Sequence, residues 1–245
     1  MVTDYDRFWP QASDYVRYNP ASRHRRERIL RMVQKLPFRD VLDVGCGNGE
    51  LLNQIARIRP GLRSLVGVEL SQEAVALNRR RFPGMSFHVL DIEQSALDAH
   101  FDLITCSEVI EHLQDRRAAF LHLAAMLRPG GHLVITCPTG KVYPTDAFFG
   151  HTHHPSAAEI EADARAAGLR IVVLHNWGWP MLRLLKEMTN IRPDWALRRF
   201  ATGRYTVGAR LAANLLYGLN LLNRRDSPRG CQLFVLLRRE TTPVP

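Results

Sequence analysis

The chain has 245 residues, of which 46% are hydrophobic and 23% charged, a composition typical of globular proteins and long enough for one large domain with a substantial core. Its net charge of +9 is uneven, with +5 on residues 1–39, −5 on residues 40–168 and +9 on residues 169–240, so the basic blocks either meet polyanions or form an ordinary solvated surface. No run approaches the ~18 uninterrupted apolar residues of a transmembrane helix, and the acidic, polar N-terminus predicts no signal peptide.

Strand-like and helix-like segments alternate from residue 24 to about residue 175, which predicts an α/β domain with a mainly parallel sheet. The opening helix is predicted over residues 24–36, where apolar residues recur at helical spacing. Short apolar runs predict seven strands, at residues 41–44, 64–70, 85–91, 101–107, 132–138, 169–177 and 231–239. Ser71 and Ser156 stand where helix N-caps belong, and Pro129 with the following glycine pair predicts a turn before the fifth strand.

Residues 178–226 are of a different kind, helical in pattern and rich in Leu and Arg with Trp and Tyr between them. This stretch is too long for a simple connection between the last two strands. We therefore predict a helical cap inserted into a single domain spanning residues 1–245, whose core comprises residues 24–177 and 227–239.

The sharpest local signal is the segment VLDVGCGNGELL, in which a buried strand runs into Gly45, Gly47 and Gly49 and then into a helix. Glycine permits positive φ and close backbone approach, so a ligand can lie against such a turn at the helix N-terminus. The spacing is GxGxG rather than the GxGxxG of dinucleotide-binding enzymes, which argues against a dehydrogenase. A glycine-rich turn alone is weak evidence for a nucleotide-like ligand, and it becomes stronger only if other residues of such a site accompany it.

Acidic residues stand at the ends of the next two strands. Glu69 follows Gly45 by 24 positions, where a carboxylate can accept hydrogen bonds from both hydroxyls of a ribose. Asp91, followed by Ile92, closes the third strand and suits an adenine amino group beside an apolar wall. Each carboxylate alone is an ordinary loop residue, whereas the series predicts a nucleoside across the carboxyl edge of the sheet.

Together with Glu69 and Asp91, the segments VLDVGCGNG, FDLITCSEVIEHL and LRPGGHLVI resemble the class I S-adenosylmethionine-dependent methyltransferases, over residues 24–175 and the final strand. The pattern is most similar to the ubiquinone-biosynthesis O-methyltransferases and related small-molecule methyltransferases. The resemblance implies a Rossmann-like, seven-stranded, mainly parallel sheet in the order 3-2-1-4-5-7-6. It also implies an antiparallel last strand, helices on both faces, the helical insertion before that strand, and an enzyme with S-adenosylmethionine (SAM) as cofactor.

The resemblance also implies which residues bind SAM. The glycine turn and the aspartate before it would hold the methionyl part, the end of the second strand the ribose, and the end of the third strand the adenine. A serine ending the fourth strand would lie along the cofactor. An arginine of the opening helix matches a cofactor-contacting arginine of the ubiquinone-type enzymes, with Arg23 and Arg26 as alternatives to Arg25. The implied cofactor-binding residues are Arg25, Asp43, Gly45, Cys46, Gly47, Gly49, Glu69, Leu70, Asp91, Ile92 and Ser107.

The segment EVIEHL, at residues 108–113, puts two carboxylates and an imidazole directly after the fourth predicted strand. In the implied fold this place faces the methyl acceptor. Methyl transfer needs an in-line nucleophile, exclusion of water and often a base. His112 suits the role of base because an unperturbed histidine has a pKa of about 6.5, and a divalent metal ion would do the same work as a Lewis acid.

Two families make the metal interpretation concrete. The ubiquinone O-methyltransferases have a similar Glu-x-x-Glu-His segment that binds Mg²⁺, and the small-RNA 3′-terminal ribose methyltransferases share it and add a later histidine. Their resemblance implies catalytic residues that also form a Mg²⁺ or Mn²⁺ site, namely Glu108, Glu111, His112 and His151. In the competing interpretation no metal binds, the glutamates cap the next helix, and the histidines, with His153 and His154, line the rim of the acceptor pocket.

The favoured function is methyl transfer to an oxygen of a small-molecule or lipid-linked acceptor under the cap, whose composition also suits docking at an anionic membrane surface. One alternative is a metal-dependent RNA 3′-terminal ribose 2′-O-methyltransferase, although stacking aromatic residues are not interleaved with the basic ones. Another is a non-catalytic cofactor-binding or membrane-surface protein, against which the intact glycine turn and acidic strand ends argue. Nothing in the sequence indicates an oligomeric state.

The chain has four scattered cysteines without CxxC spacing, Cys46, Cys106, Cys137 and Cys231. Three of them lie in or at the ends of predicted strands, so we expect buried thiols rather than disulfides. This expectation favours the cytoplasm, with a peripheral position at the inner membrane surface as the alternative location.

Overall fold

A computed structural model describes residues 5–200 and 204–241, and its centre is a seven-stranded sheet in the order β3-β2-β1-β4-β5-β7-β6. The strands are β1 (Asp40–Val44), β2 (Ser64–Glu69), β3 (Ser86–Val89), β4 (Phe101–Ser107), β5 (Leu127–Pro138), β6 (Leu169–Trp177) and β7 (Gln232–Arg239). The first five pair in parallel, whereas β7 is antiparallel to both β5 and β6. The predicted fold, including the strand order and the antiparallel last strand, is confirmed.

Helices precede the sheet and cover its two faces. They are α1 (Tyr5–Phe8), α2 (Ser13–Tyr18), α3 (Pro20–Val33), α4 (Glu50–Ile58), α5 (Gln72–Arg81), α6 (Arg116–Met126), α7 (Pro144–Phe148), α8 (Ala157–Ala166), α9 (Met181–Thr189), α10 (Pro193–Phe200) and α11 (Val207–Asn220). Short 3₁₀ turns lie at Trp9–Gln11 and Ile110–His112. Ser71 Oγ accepts a hydrogen bond from Ala74 N at 3.1 Å, so the predicted cap of α5 is confirmed.

The core lies on both faces of the sheet because its central strands are buried throughout. All five residues of β1 are buried, as is usual for a parallel strand covered on two sides. Phe120 of α6 and Ile160 of α8 are fully buried on one face, and Ile29 of α3 and Leu52 of α4 on the other. Each fully buried side chain of this size contributes roughly 1.5–3 kcal/mol, so these two layers fix the position of the sheet's carboxyl edge.

The strand order reverses at β1, which lies between β2 and β4. In open parallel sheets a ligand crevice forms outside the carboxyl ends of the strands at such a reversal. The glycine turn after β1, the ends of β2 and β3, and the EVIEHL segment after β4 therefore meet at one edge, although they are far apart in the chain.

The fifth strand begins earlier than predicted. It starts at Leu127, directly after α6, instead of at His132. Its pairing with β4 shifts between Phe101 and Leu103, and the turn residues form an irregularity inside the strand in which Gly130 has a φ of +78°. The prediction of a turn before the fifth strand is therefore wrong in its position, because these residues form an irregularity within β5 and its pairing with β4 continues on both sides.

Residues 5–18 and the insertion between β6 and β7 both contribute to the cavity at the carboxyl edge. Residues 5–18 are helical, which the sequence patterns did not predict. The insertion between β6 and β7 contains α9, α10 and α11, in agreement with its helical pattern, and its residues 201–203 lie outside the described part. The helix α11 packs against α3 and α2, which links the insertion to the opening helices.

The four cysteines are buried and free, as expected from their positions. Among the helices of the described residues, none has the length and hydrophobicity required to cross a membrane.

Candidate active site

A cavity of about 380 Å³ opens at the carboxyl edge of the sheet. Strand ends supply one part of its wall through Gly45, Glu69 and Asp91. The rest of the wall comes mainly from α1, α2, α3, α9 and α10 and from the loop after β5. This volume lies within the ~300–1,000 Å³ of small-molecule sites, and the cavity collects side chains from nearly the whole length of the chain.

The glycine turn after β1 is shaped by its neighbours on both sides. Gly45 and Gly47 have φ values of +65° and +51°, in the left-handed region that favours glycine. A Cβ atom at Gly45 would lie 2.2 Å from Val109 Cγ2, and one at Gly47 would lie 2.5 Å from the indole ring of Trp9. Only glycine therefore fits these positions, and Gly45 borders the cavity while Trp9 covers Gly47.

Glu69 is held by the backbone of this turn and of its own strand end. Its Oε2 accepts a hydrogen bond from Gly47 N at 2.9 Å, and its Oε1 accepts from Leu70 N at 2.9 Å and Ser71 N at 3.3 Å. Burial raises the pKa of the carboxyl, although these backbone donors oppose that shift. A carboxylate accepts about four hydrogen bonds, so Glu69, which borders the cavity, retains capacity for ligand hydroxyls.

Apolar side chains flank the next acidic strand end. Leu70 borders the cavity and is 56% exposed, which is unusual for a leucine in the interior of a crevice. Ile92 is buried and also borders the cavity, and Asp91 Oδ1 accepts a hydrogen bond from Glu93 N at 2.9 Å. An apolar surface can pack against a purine ring, and the neighbouring carboxylate can accept a hydrogen bond from the amino group of that ring.

Five of the predicted cofactor residues do not border the cavity: Asp43, Cys46, Gly47, Gly49 and Ser107. Asp43 is buried, and its Oδ1 accepts a hydrogen bond from Thr105 Oγ1 at 2.6 Å, so it joins β1 to β4. Burial raises the pKa of Asp43 to about 7. Ser107 Oγ lies 2.8 Å from the hydroxyl of Thr136. Direct contact of these five residues with a cofactor stays a prediction.

Of the three arginines considered on α3, Arg25 borders the cavity. Arg23 instead donates to Asn214 Oδ1 at 2.7 Å, and Arg26 donates to the Val16 carbonyl at 2.8 Å. The geometry therefore favours Arg25 for the predicted cofactor contact.

Glu108 is fixed in an unusual conformation by its partners. Its φ of +59° is in a region that non-glycine residues rarely adopt and that often marks functional sites. Its carboxylate lies 3.0 Å from Arg25 Nη1 and accepts hydrogen bonds from Gln232 Nε2 at 2.8 Å and Thr136 Oγ1 at 3.1 Å. Three of the roughly four acceptor sites of Glu108 are thus used at the cavity wall.

Three of the four predicted metal ligands come together without Glu108. Ligand atoms of Glu111, His112 and His151 all lie within 4.8 Å of one another. Both carboxylate oxygens of Glu111 are buried and have no hydrogen-bond partner among the described residues, and burial and the Glu108 charge raise its pKa well above the usual range. Burial lowers the pKa of His112, and it lowers that of His151 to about 3, so both imidazoles are neutral at pH 7.

A second polar group adjoins this cluster on the loop after β5. His151 Nδ1 lies 3.0 Å from His154 Nε2, and Asp146 Oδ1 lies 3.4 Å from Lys186 Nζ. Ligand atoms of Asp146, His151 and His154 also lie within 4.8 Å of one another. His153 is exposed and His154 is buried, and of the three histidines on this loop His151 alone borders the cavity.

Aromatic side chains of residues 5–18 close the cavity, and the sequence analysis missed them. Tyr5 Oη donates to the Phe149 carbonyl at 3.0 Å and lies 3.5 Å from His112 Nδ1. Phe8 packs edge-to-face against Phe149 and Tyr15. The available signal was the density of aromatic residues, five within residues 5–18.

The chain matches known proteins along most of its length. A family model described as a methyltransferase domain matches residues 21–174. A ubiquinone biosynthesis O-methyltransferase of Cupriavidus pinatubonensis is 33% identical over 190 residues, which is 68% of this chain and 75% of that protein. A probable S-adenosylmethionine-dependent methyltransferase of Mycolicibacterium smegmatis is 30% identical over 156 residues, 60% of this chain, and the match spans 59% of that relative's length.

Among solved structures, the N-methyltransferase NodS of Bradyrhizobium japonicum in complex with S-adenosyl-L-homocysteine has a TM-score of 0.59 at 19% identity, over 96% of both chains. At this identity the likeness concerns the fold alone. The sheet order, the glycine turn and the acidic strand ends define the class of S-adenosylmethionine-dependent methyltransferases. Within that class, the chain belongs to the family of the methyltransferase domain that its residues 21–174 match. The predictions of family and enzyme class are confirmed.

Proposed function

We propose that the protein transfers the methyl group of SAM to an oxygen atom of a small-molecule or lipid-linked acceptor. The observation that carries this proposal is that one cavity is lined both by Glu69 and Asp91 and by His112 and His151. We assign the first pair to a cofactor end and the second pair to an acceptor end. Oxygen is favoured as the acceptor atom because a curated relative that is 33% identical is named an O-methyltransferase.

The residues at the first end fit SAM. Glu69 would hold the ribose hydroxyls, Leu70 and Ile92 would contact the adenine, and Asp91 would accept from its amino group. Arg25 supplies a cation for the methionyl carboxylate. When bound, SAM supplies an electrophilic methyl group on a sulfonium sulfur, and the protein's contribution is to orient it and exclude water.

The acceptor would occupy the second end, where the walls are mainly apolar. Leu182, Leu185 and Leu197 from α9 and α10 line the cavity together with Phe8 and Phe149. This supports the prediction that the inserted helices cover the acceptor site. The neutral imidazole of His112 is placed to take the proton of an acceptor hydroxyl, a role typically worth ~10²–10⁴ in rate.

A divalent cation fits the cluster of Glu111, His112 and His151, of which the two histidines border the cavity. Glu111 carries two buried, unpaired oxygens, and His112 and His151 offer neutral nitrogens, a donor set typical of protein metal sites. In this alternative to His112 acting as a base, Glu111, His112 and His151 would hold the ion, whereas Glu108 is paired with Arg25. A bound cation would lower the pKa of an acceptor hydroxyl.

The test uses methyl-labelled SAM with a matched pair of alkyl-substituted aromatic acceptors, one hydroxylated and one aminated, and an RNA oligonucleotide. Methylation of the hydroxylated acceptor, lost in His112→Asn, supports the proposal. Methylation confined to the amine would move the acceptor atom to nitrogen, and salt-sensitive methylation of the RNA 3′ end would favour the RNA alternative. Calorimetric Mn²⁺ titration of wild type and Glu111→Gln tests the cation site separately, and equal heats would exclude it.

A further inference from the structure

Exposed hydrophobic side chains are concentrated in the insertion. Of the 15 large hydrophobic residues that are exposed in the described chain, nine lie between residues 178 and 226. Scattered exposed leucines are normal on protein surfaces, whereas a concentration of them marks a contact surface. We call these nine residues the outer cap surface: Leu184, Met188, Ile191, Trp195, Val207, Leu211, Leu215, Leu221 and Leu222.

The helix α11 has large apolar residues on its outer face, although Leu216, Tyr217 and Leu219 are half-buried. Its inward positions hold Ala209 and Ala213, which are buried. Its outward positions, spaced by four residues, hold Val207, Leu211 and Leu215, which are 73%, 66% and 66% exposed. A surface helix ordinarily points its large apolar residues at the core. The outward stripe of α11 is therefore left largely uncovered by the described residues and is available to an external partner.

The helix α9 continues this arrangement on a second element. Its inner residues Leu182, Leu185 and Lys186 border the cavity, whereas Leu184 and Met188 point outward and are 50% and 58% exposed. One helix thus has one face on the acceptor end of the cavity and the other on the outer cap surface.

Positive charge accompanies the exposed hydrophobic residues. The insertion has nine basic and three acidic residues, a net charge of +6. Its exposed arginines form no ion pair with any residue of the described chain; they are Arg192, Arg198, Arg204, Arg224 and Arg225. Their guanidinium groups are therefore available to an anionic partner.

We propose that the outer cap surface docks on an anionic phospholipid bilayer. Leucines at the acyl boundary with arginines at the phosphate level are the pattern of helices that lie in the membrane interface. A second copy of the chain is disfavoured as the occupant, because a symmetric contact would oppose +6 with +6. Docking is independent of methyl transfer, and it brings α9 and the acceptor end of the cavity to the lipid surface.

Vesicle sedimentation tests this proposal on the full-length protein without any activity measurement. The probes are vesicles of phosphatidylcholine alone and of an equimolar mixture with phosphatidylglycerol. We expect preferential binding to the mixture, weakened by salt, and a loss of about tenfold or more in partition coefficient for Leu211→Gln/Leu215→Gln. Arg224→Gln/Arg225→Gln should remove much of the preference for the anionic vesicles.

Leu121→Gln is the matched control, because Leu121 is an exposed leucine of α6, outside the insertion. It should bind vesicles like the wild type, and unchanged thermal melting of all variants would show that they are folded. Absence of wild-type binding, or equal binding by the Leu211→Gln/Leu215→Gln variant, would overturn the proposal. A wild-type dimer in solution that this double variant converts to a monomer would also overturn it, in favour of a second copy.

Discussion

Replacement of Glu69 by alanine should weaken binding of the product S-adenosylhomocysteine by about two orders of magnitude. Three of roughly four acceptor sites on this carboxylate are used by backbone N–H groups, one of them at the longer distance of 3.3 Å, so one to two sites are open to ribose hydroxyls. Two hydrogen bonds to a charged acceptor at ~1.5 kcal/mol each give ~3 kcal/mol, or roughly 150-fold in Kd.

Calorimetric titration measures this change in Kd. Titrating both proteins with the product and with an analogue that lacks the ribose hydroxyls separates loss of the ribose contact from damage to the glycine turn. A 2′,3′-dideoxy analogue of the product lacks both hydroxyls, so it should bind wild type and Glu69→Ala with nearly equal Kd. Glu73→Ala provides the control, since Glu73 is an exposed glutamate on the neighbouring helix α5. If Glu69→Ala binds the full product within about threefold of wild type, or weakens both ligands equally, the assignment of Glu69 to the ribose is wrong.

Three further predictions concern the turn, the buried acid and the candidate base. Gly47→Ala should lower both the melting temperature and the affinity for S-adenosylhomocysteine, because its Cβ would lie 2.5 Å from the Trp9 ring at a φ of +51°, and adding Trp9→Ala should cost less than the sum of the two single changes. Burial raises the pKa of Asp43 from 3.8 to about 7, so its stabilising contribution is complete below pH ~4 and is lost as pH rises through 7. Between pH 4 and 8, the unfolding free energy of the wild type in urea titrations should therefore fall by up to ~4 kcal/mol more than that of Asp43→Asn. Parallel pH profiles of the two proteins would contradict the raised pKa of Asp43. His112→Asn should reduce kcat about 100-fold or more with unchanged product binding, whereas His132→Asn, on β5 away from the cavity, should retain full kcat.

The sequence predicted the fold well because its signals are local and strong. Apolar runs between turn residues located the strands, and Ser71 and Ser156 marked helix starts that the structure confirms. The strand order came from the resemblance to a known family, since no local pattern distinguishes one parallel order from another. Residues 5–18 escaped prediction because their helices are only four to six residues long and are stabilised by aromatic packing against distant residues such as Phe149.

The candidate site was predictable in its position but not in its details. Every residue of β1 is buried, so alternation could not reveal that Asp43 points at Thr105 instead of at the cavity. The spacing of EVIEHL likewise could not separate Glu108, which pairs with Arg25, from Glu111, which joins the histidines. Such choices depend on partners supplied by other strands and loops.

Because all four cysteines are buried, the reactivity of each thiol reports local opening of the structure around it. Burial raises the pKa of every thiol, so little reactive thiolate exists at these sites until the surrounding structure opens. Cys46 lies within the glycine turn, Cys106 and Cys137 lie in the central strands, and Cys231 immediately precedes β7 at the end of the insertion. The rates at which a thiol reagent labels the four cysteines would therefore report how readily the turn, the sheet and the base of the insertion each open in the unmodified protein.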